Sequence, residues 1–153
     1  MTNSFKDKAA ALAANGYLPI PIKPGEKFPA LEEWTSYRFK PADAQRHAAC
    51  GVGLLTGQGE HKVIGIDCDI TDKELLKLMH DKITELCGGK PFLSRVGRFP
   101  RTLFLVRTDK SFSKISSHKF VDAQGQDQQL EILANGQQFV ALGIHKITGK
   151  PYF

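Results

Sequence analysis

The sequence predicts an α+β domain: an antiparallel sheet with helices packed on it, and a smaller α/β lobe formed by the N-terminal part. Three observations predict it. Val63-Ile64-Gly65-Ile66-Asp67-Cys68-Asp69-Ile70 is an apolar run of β type. The residues after it repeat apolar side chains at helical spacing as far as Leu86. Beyond that point, strand-type segments recur around glycine, proline and asparagine, most clearly at Asn135-Gly136.

Taken in order, Ser4 to Ala14 reads as an alanine-rich helix stopped by Asn15-Gly16. Tyr17 to Ile22 is extended, and Pro19 and Pro21, which cannot donate to a neighbouring strand, assign it to a sheet edge. Lys23 to Pro29 is a loop, and Pro41 suits the first turn of a short helix running to about Ala49. Gly51 to Gly57 is a short strand leaving through Thr56-Gly57-Gln58-Gly59. Thr71 and Glu74 form a capping box, which opens a helix with Leu75, Leu76, Met79, Ile83 and Leu86 on its core face. That helix ends at Gly88-Gly89. Phe92 to Val96 and Thr102 to Arg107 are strands around a loop from Gly97 to Arg101. Ser111 to Asp127 is polar and predicted to be a mobile excursion. Leu130 to Leu133 and Gln137 to Leu142 flank Asn135-Gly136, the signature of a type I′ hairpin.

At 153 residues the chain is one domain with room for a sizeable core, and its 41% hydrophobic content is that of a globular protein. The net charge of +5 leans towards a polyanionic partner. Cys50, Cys68 and Cys87 have no C-x-x-C spacing, which favours free thiols in a reducing compartment over disulfides or a zinc site. No apolar run reaches membrane length, and Met1 to Asp7 lacks the hydrophobic core of a signal peptide. A cytoplasmic location is the expectation.

Chemistry enters with Asp67 and Asp69. In a strand, residues i and i+2 share a face, so both carboxylates project on the side of Val63 and Gly65, away from Ile64, Ile66, Cys68 and Ile70. Two adjacent like charges in an apolar strand call for a cation. Oxygen ligands of this kind suit Mg²⁺ or Mn²⁺. Otherwise the pair marks a strand end in solvent or a cap on the next helix. A two-residue loop at Asn135-Gly136 would pair Ile132 with Phe139 and Glu131 with Val140. Leu130, Ile132, Phe139 and Ala141 then face the core, and Glu131 and Gln138 face the other way. Beside the aspartate strand, Glu131 becomes a third ligand; elsewhere it is an exposed strand glutamate.

The order of these signals resembles one family. A loop with Lys27 and Pro29 precedes Gly53-Leu54-Leu55-Thr56-Gly57 and the hydrophobic Asp67-Cys68-Asp69 strand. A basic unit from Arg95 to Arg107 follows, then Glu131 and Gly149-Lys150-Pro151-Tyr152. From about Leu12 to the end, the chain is similar to the N-terminal primase/polymerase (prim-pol) domain of the archaeo-eukaryotic primase superfamily, found in phage, prophage and plasmid replication proteins. The resemblance implies an RRM-like sheet in which Asp67, Asp69 and Glu131 bind two divalent ions, Mg²⁺ or Mn²⁺, and catalyse template-directed nucleotidyl transfer. It implies single-stranded DNA and nucleoside triphosphates as partners, and a helicase in the same or an associated chain, residues 1–153 being the catalytic domain of a longer protein. It also implies room for a nucleotide over Gly65.

The family's Ser-x-His element, which contacts the triphosphate, is replaced here by Pro100-Arg101-Thr102. Arginine pairs well with phosphate, so Arg95 and Arg101, with His145 beyond the last strand, are the candidate nucleotide contacts. Lys27, Arg98 and Arg107 are candidate DNA contacts. Trp34 and the remaining histidines (His47, His61, His80 and His118) read as packing or surface residues. Two other functions use the same features: a metal-dependent nuclease, which shares the three acids, and a non-catalytic replication initiator or single-strand-binding module, which needs only the basic face.

Overall fold

A computed structural model describes residues 3–153 and shows an α+β fold; Met1 and Thr2, where the reading for a signal peptide began, lie outside it. The elements are α1 (Phe5–Ala14), β1 (Pro19–Ile22), α2 (Asp43–Arg46), β2 (Gly51–Leu55), β3 (Lys62–Asp69), α3 (Lys73–Leu86), β4 (Leu93–Arg98), β5 (Arg101–Thr108), β6 (Ile115–Ser116), β7 (Phe120–Val121), β8 (Asp127–Leu133) and β9 (Gln138–Leu142). They build two sheets. The larger has the order β4-β5-β3-β8-β6, with β7 also paired to β8; the smaller has the order β1-β2-β9. Every strand pairing is antiparallel.

Each face of the larger sheet has its own cover. Cys68, Ile70 and Phe104 face α3, whose Leu75, Leu76, Met79 and Ile83 pack on them. On the opposite face, Leu103 and Leu133 meet α1 through Phe5 and Ala9, and the smaller sheet through Val52, Leu54 and Phe139. Burying such a side chain stabilises the fold by about 1.5–3 kcal/mol, so these two layers dominate its stability. The beyond-core end of that second face, around Asp67, is left for the site.

Several expectations need correction. The helix after β3 is capped by Asp72, whose carboxylate accepts from the amides of Glu74 (2.9 Å) and Leu75 (3.1 Å). Thr71 is drawn elsewhere: its amide donates to Gln128 Oε1 at 2.5 Å and its hydroxyl to Asp122 Oδ2 at 2.9 Å. Leu86 leaves the apolar stripe and is 74% exposed. The helix expected from Pro41 to Ala49 is one turn, Asp43–Arg46. The expected loop at residues 97–101 shortens to Phe99-Pro100, because Arg98 and Arg101 pair across the two strands. The polar excursion is not a free loop. Its β6 and β7 line β8, and the buried Gln128 donates to Thr71 Oγ1 and Asp122 Oδ2, fastening it to the start of α3.

The largest correction concerns Asn135-Gly136. Gln137 donates to the Ala134 carbonyl at 3.2 Å, so the chain does turn there. Yet β8 and β9 do not pair; they belong to different sheets. A type I′ turn needs positive φ at both central residues, whereas here only Gly136 (+74°) has it. The turn follows the type II pattern, which splays its flanking segments. Leu130 therefore packs under α3, while Phe139 lies in the core between the sheets. The N-terminal lobe thus also contains β9 from the end of the chain.

The turn is held by the strand before β3. Thr56, fully buried, donates its hydroxyl to the Ala134 carbonyl at 2.5 Å, and its amide donates to the Gln137 carbonyl at 3.0 Å. Gly57 (φ +70°) comes so close that a Cβ there would stand 2.2 Å from the Asn135 nitrogen. Thr56→Val removes the hydroxyl and leaves a buried carbonyl short of a partner, and should lower unfolding free energy by about 1–3 kcal/mol. Gly57→Ala should lower it more, since both clash and φ oppose it. Chemical denaturation of both variants checks this; an unchanged midpoint for Gly57→Ala would remove the clamp's importance.

Candidate functional site

The register of β3 decides which acids meet. Asp67 lies opposite Glu131 on β8 and opposite Leu103 on β5, and Asp69 lies opposite Gln129. Directly paired residues share a face, so Asp67, Asp69 and Glu131 all project on the face away from α3. Arg95 is paired with Leu103 and so joins that face from β4, while Arg101 begins β5. The aspartates, these two arginines, Lys27, Arg98, Gln138, His145 and Tyr152 all line one cleft of about 220 Å³.

The carboxylates do not converge on a common point. Among the described residues no group of three His, Cys, Asp or Glu side chains is placed to hold a metal ion. The reason is local: Asp69 is drawn to Arg101 Nη1 at 2.9 Å, and Glu131 is drawn to Lys114 Nζ at 2.6 Å and accepts from Ser116 Oγ at 3.1 Å. Each outer acid is thus neutralised by its own side-chain cation. Asp67, between them, is half-buried. Burial pushes its carboxyl above the usual carboxylate range; Arg95 pulls it back, Asp69 and Glu131 push it further up, and Lys27 lowers it.

Opposite the acids stands a basic and aromatic wall. The Arg95 guanidinium lies 4.8 Å from the centroid of the Tyr152 ring, and burial lowers its pKa while Asp67 holds it up. Tyr152 in turn meets His145 edge-on at 5.3 Å. Gly97 makes this possible: a Cβ there would stand 2.5 Å from Tyr152 Cε1 and 2.7 Å from His145 Cδ2. Burial, then Lys27, Arg95 and Arg98, all lower the His145 pKa. Its Nδ1 accepts from the Thr148 amide at 3.2 Å, which leaves Nε2 to carry the proton of a neutral ring.

Three buried polar atoms of this cleft lack a partner: Arg95 Nε, Arg101 Nε and Gln138 Oε1. Two unspent donors and an acceptor in one cleft are what a polar ligand would satisfy. Gln138 also donates from Nε2 to the Lys27 carbonyl at 3.0 Å, holding the loop that carries Lys27.

Of the six basic and histidine candidates, five line the cleft. Arg107 does not. It sits at the far end of β5, donating to the carbonyls of Asn15 (2.9 Å) and His61 (3.4 Å) and lying 4.8 Å from the Tyr17 ring centroid. It ties α1 to the sheet. Gly65 is likewise not a space for a nucleotide, because a Cβ there would meet Phe139 at 3.2 Å and Leu103 at 3.3 Å. Sequence reasoning missed Gln138, Tyr152 and Lys114 as site residues. Tyr152 had a signal in its Gly-Lys-Pro-Tyr segment; Lys114, in a polar tract, had none.

Because folding raises the Asp67 pKa, its contribution to stability is full below the ordinary carboxylate value and is lost as pH rises through the raised value. The stability of Asp67→Asn relative to the parent should therefore grow more favourable as pH climbs through that interval, then level off. Carboxyl NMR titration gives the matching readout: Glu131→Gln should move the Asp67 midpoint down. An Asp67 midpoint at the ordinary value would refute both.

No helix among the described residues is long and apolar enough to cross a membrane. A comparison with curated proteins gives no match. The sequence profile of the bifunctional DNA primase/polymerase N-terminal domain, Prim-Pol, matches residues 9–153. With acids on paired strands facing an arginine-rich wall, and a family profile that covers nearly the whole chain, the protein belongs to the Prim-Pol family of DNA primase/polymerase N-terminal domains.

Proposed function

We propose that this domain carries out template-directed nucleotidyl transfer, priming or extending DNA on a single strand in phage, prophage or plasmid replication. The observation that supports it best is the cleft shared by Asp67, Asp69, Arg95, Arg101 and His145, with Glu131 paired to Asp67 from β8 although it does not line that cleft. Two Mg²⁺ or Mn²⁺ ions would be held by Asp67, Asp69 and Glu131. The donor chemistry fits: three hard oxygen ligands on one face, of which Asp67 is raised by burial and further by its two like-charged neighbours, while Asp69 and Glu131 now rely on Arg101 and Lys114 for neutralisation. When bound, such ions supply Lewis-acid activation of a hydroxyl and of a phosphoryl group.

The chain's own groups do the rest. Arg95, fixed on Tyr152 and carrying a spare Nε–H, orients the triphosphate. Arg101, once Asp69 releases it, adds a second fork to the same phosphates. The neutral His145 offers an Nε2–H in place of the family's missing histidine. Lys27 and Arg98 hold the template backbone. The primer 3′-hydroxyl gives up its proton to solvent and its oxygen bonds to the α-phosphorus as the bond to the bridging oxygen of the β-phosphate breaks and pyrophosphate leaves. These cations offset the charge on the departing group. The partners implied are nucleoside triphosphates, single-stranded DNA and a helicase in the same or an associated chain; the setting implied is the cytoplasm.

Asp67→Asn should cut incorporation of labelled nucleotide on a primed single strand by roughly a thousandfold, while affinity for the strand stays unchanged. Shortening of the strand instead of extension would favour a nuclease. The capped state of Asp69 and Glu131 favours one other reading, a non-catalytic single-strand-binding or initiator module. Full function after Asp67→Asn would select it. Lys114→Ala tests the metal assignment directly. Freed of a half-exposed ion pair, Glu131 should bind Mn²⁺ about 1.5- to 5-fold more tightly, matching ~0.2–1 kcal/mol, by calorimetry or paramagnetic resonance. Unchanged or weaker binding would place the metal elsewhere.

A further inference from the structure

The turn between β4 and β5 presents a side chain that neither the acids nor the core uses. Phe99 is 69% exposed at the tip, between Arg98 and Arg101, which both line the cleft. Lys73 Nζ, at the first residue of α3, stands 5.5 Å from the centroid of its ring. An aromatic ring thus stands in solvent beside Lys73, on a turn flanked in sequence by Arg98 and Arg101, where the acid face ends: Asp69 closes β3, and Lys73 lies four residues on. Among the described residues, neither Lys73 nor Arg98 forms a salt bridge.

The chemistry of this surface narrows its occupant. A purely apolar partner would have to desolvate three cations. A lone anion would leave the ring in water. A single-stranded polynucleotide satisfies both parts, because its phosphates match the cations and its unpaired bases have open π faces, which a duplex hides. We propose that Phe99 is a base-stacking contact for a single strand running past the end of the cleft, with Lys73 and Arg98 neutralising the phosphates on either side. This rests on the reading of the domain as one that acts on a single-stranded template, and it adds the surface that grips that template beyond the reacting centre.

The test is equilibrium binding of the full chain to an oligothymidylate of about 12 nucleotides, within the range of known single-strand sites, followed by fluorescence anisotropy over a range of salt. Phe99→Ala should weaken binding about tenfold, in the middle of the range for loss of one stacked base. The salt slope should stay the same. Lys73→Ala should instead flatten the slope. Phe99→Trp should restore affinity, and Phe99→Leu, apolar but without a π face, should not. On an abasic strand of equal length, Phe99→Ala and the parent should bind alike. Equal affinity of Phe99→Ala and the parent for oligothymidylate would overturn the proposal; with nucleotide incorporation intact, the template-directed reading would survive. Absence of any binding or incorporation by the parent would remove both.

Discussion

The contact of Thr56 and Gly57 with the turn at Ala134-Asn135 is the constraint on which the rest depends. A type I′ turn at Asn135-Gly136 would connect two neighbouring strands of one sheet. Here the turn is clamped against Thr56 and Gly57, and β9 leaves the larger sheet and pairs with β2. That single change of partner carries Gln138, His145 and Tyr152 over the face of Asp67. A hairpin register would have left the acid face flat and open to solvent. The glycine is needed because no side chain fits between the two backbones, and the threonine because the turn's buried carbonyl needs a donor.

Charge is arranged around Asp67 in layers. The half-buried carboxylate stands beside two like charges, and its compensation comes from Arg95, also half-buried and stacked on Tyr152. The outer acids take separate partners, Arg101 for Asp69 and Lys114 for Glu131. Ion pairs of this partly exposed kind cost little to break, so Asp69 and Glu131 can give up Arg101 and Lys114 more cheaply than Asp67 can give up its surroundings.

The same polypeptide features serve support and chemistry at once. Gly97 allows the Tyr152–His145 pair to approach β4, and the backbone of Val96 exchanges hydrogen bonds with Phe153 at 2.6 and 3.1 Å. The last residues therefore strap the His145 turn to the edge of the larger sheet. The loop carrying Lys27 is held from two sides, by Gln138 on its carbonyl and by the Lys146–Glu26 ion pair. Both walls of the cleft are thus braced by residues distant in sequence.

How much of this was legible beforehand follows the range of the forces involved. Periodicity and local sterics act within a few residues, so the sequence by itself determined α1, the edge position of the proline-bearing β1, the core face of α3 and the shared face of Asp67 and Asp69. The prim-pol pattern of motifs was legible for the same reason, since its residues keep their order along the chain. The capping of α3 by Asp72 and the ordering of residues 115–121 were not, because Thr71, Asp122 and Gln128 meet only after folding. Nor was the diversion of Arg107 to the end of α1. Only the tertiary structure decided which sheet β9 joins, and hence which cations face the acids. A turn's residues permit several geometries, and a contact 78 residues away in sequence, from Thr56 to Ala134, selects among them.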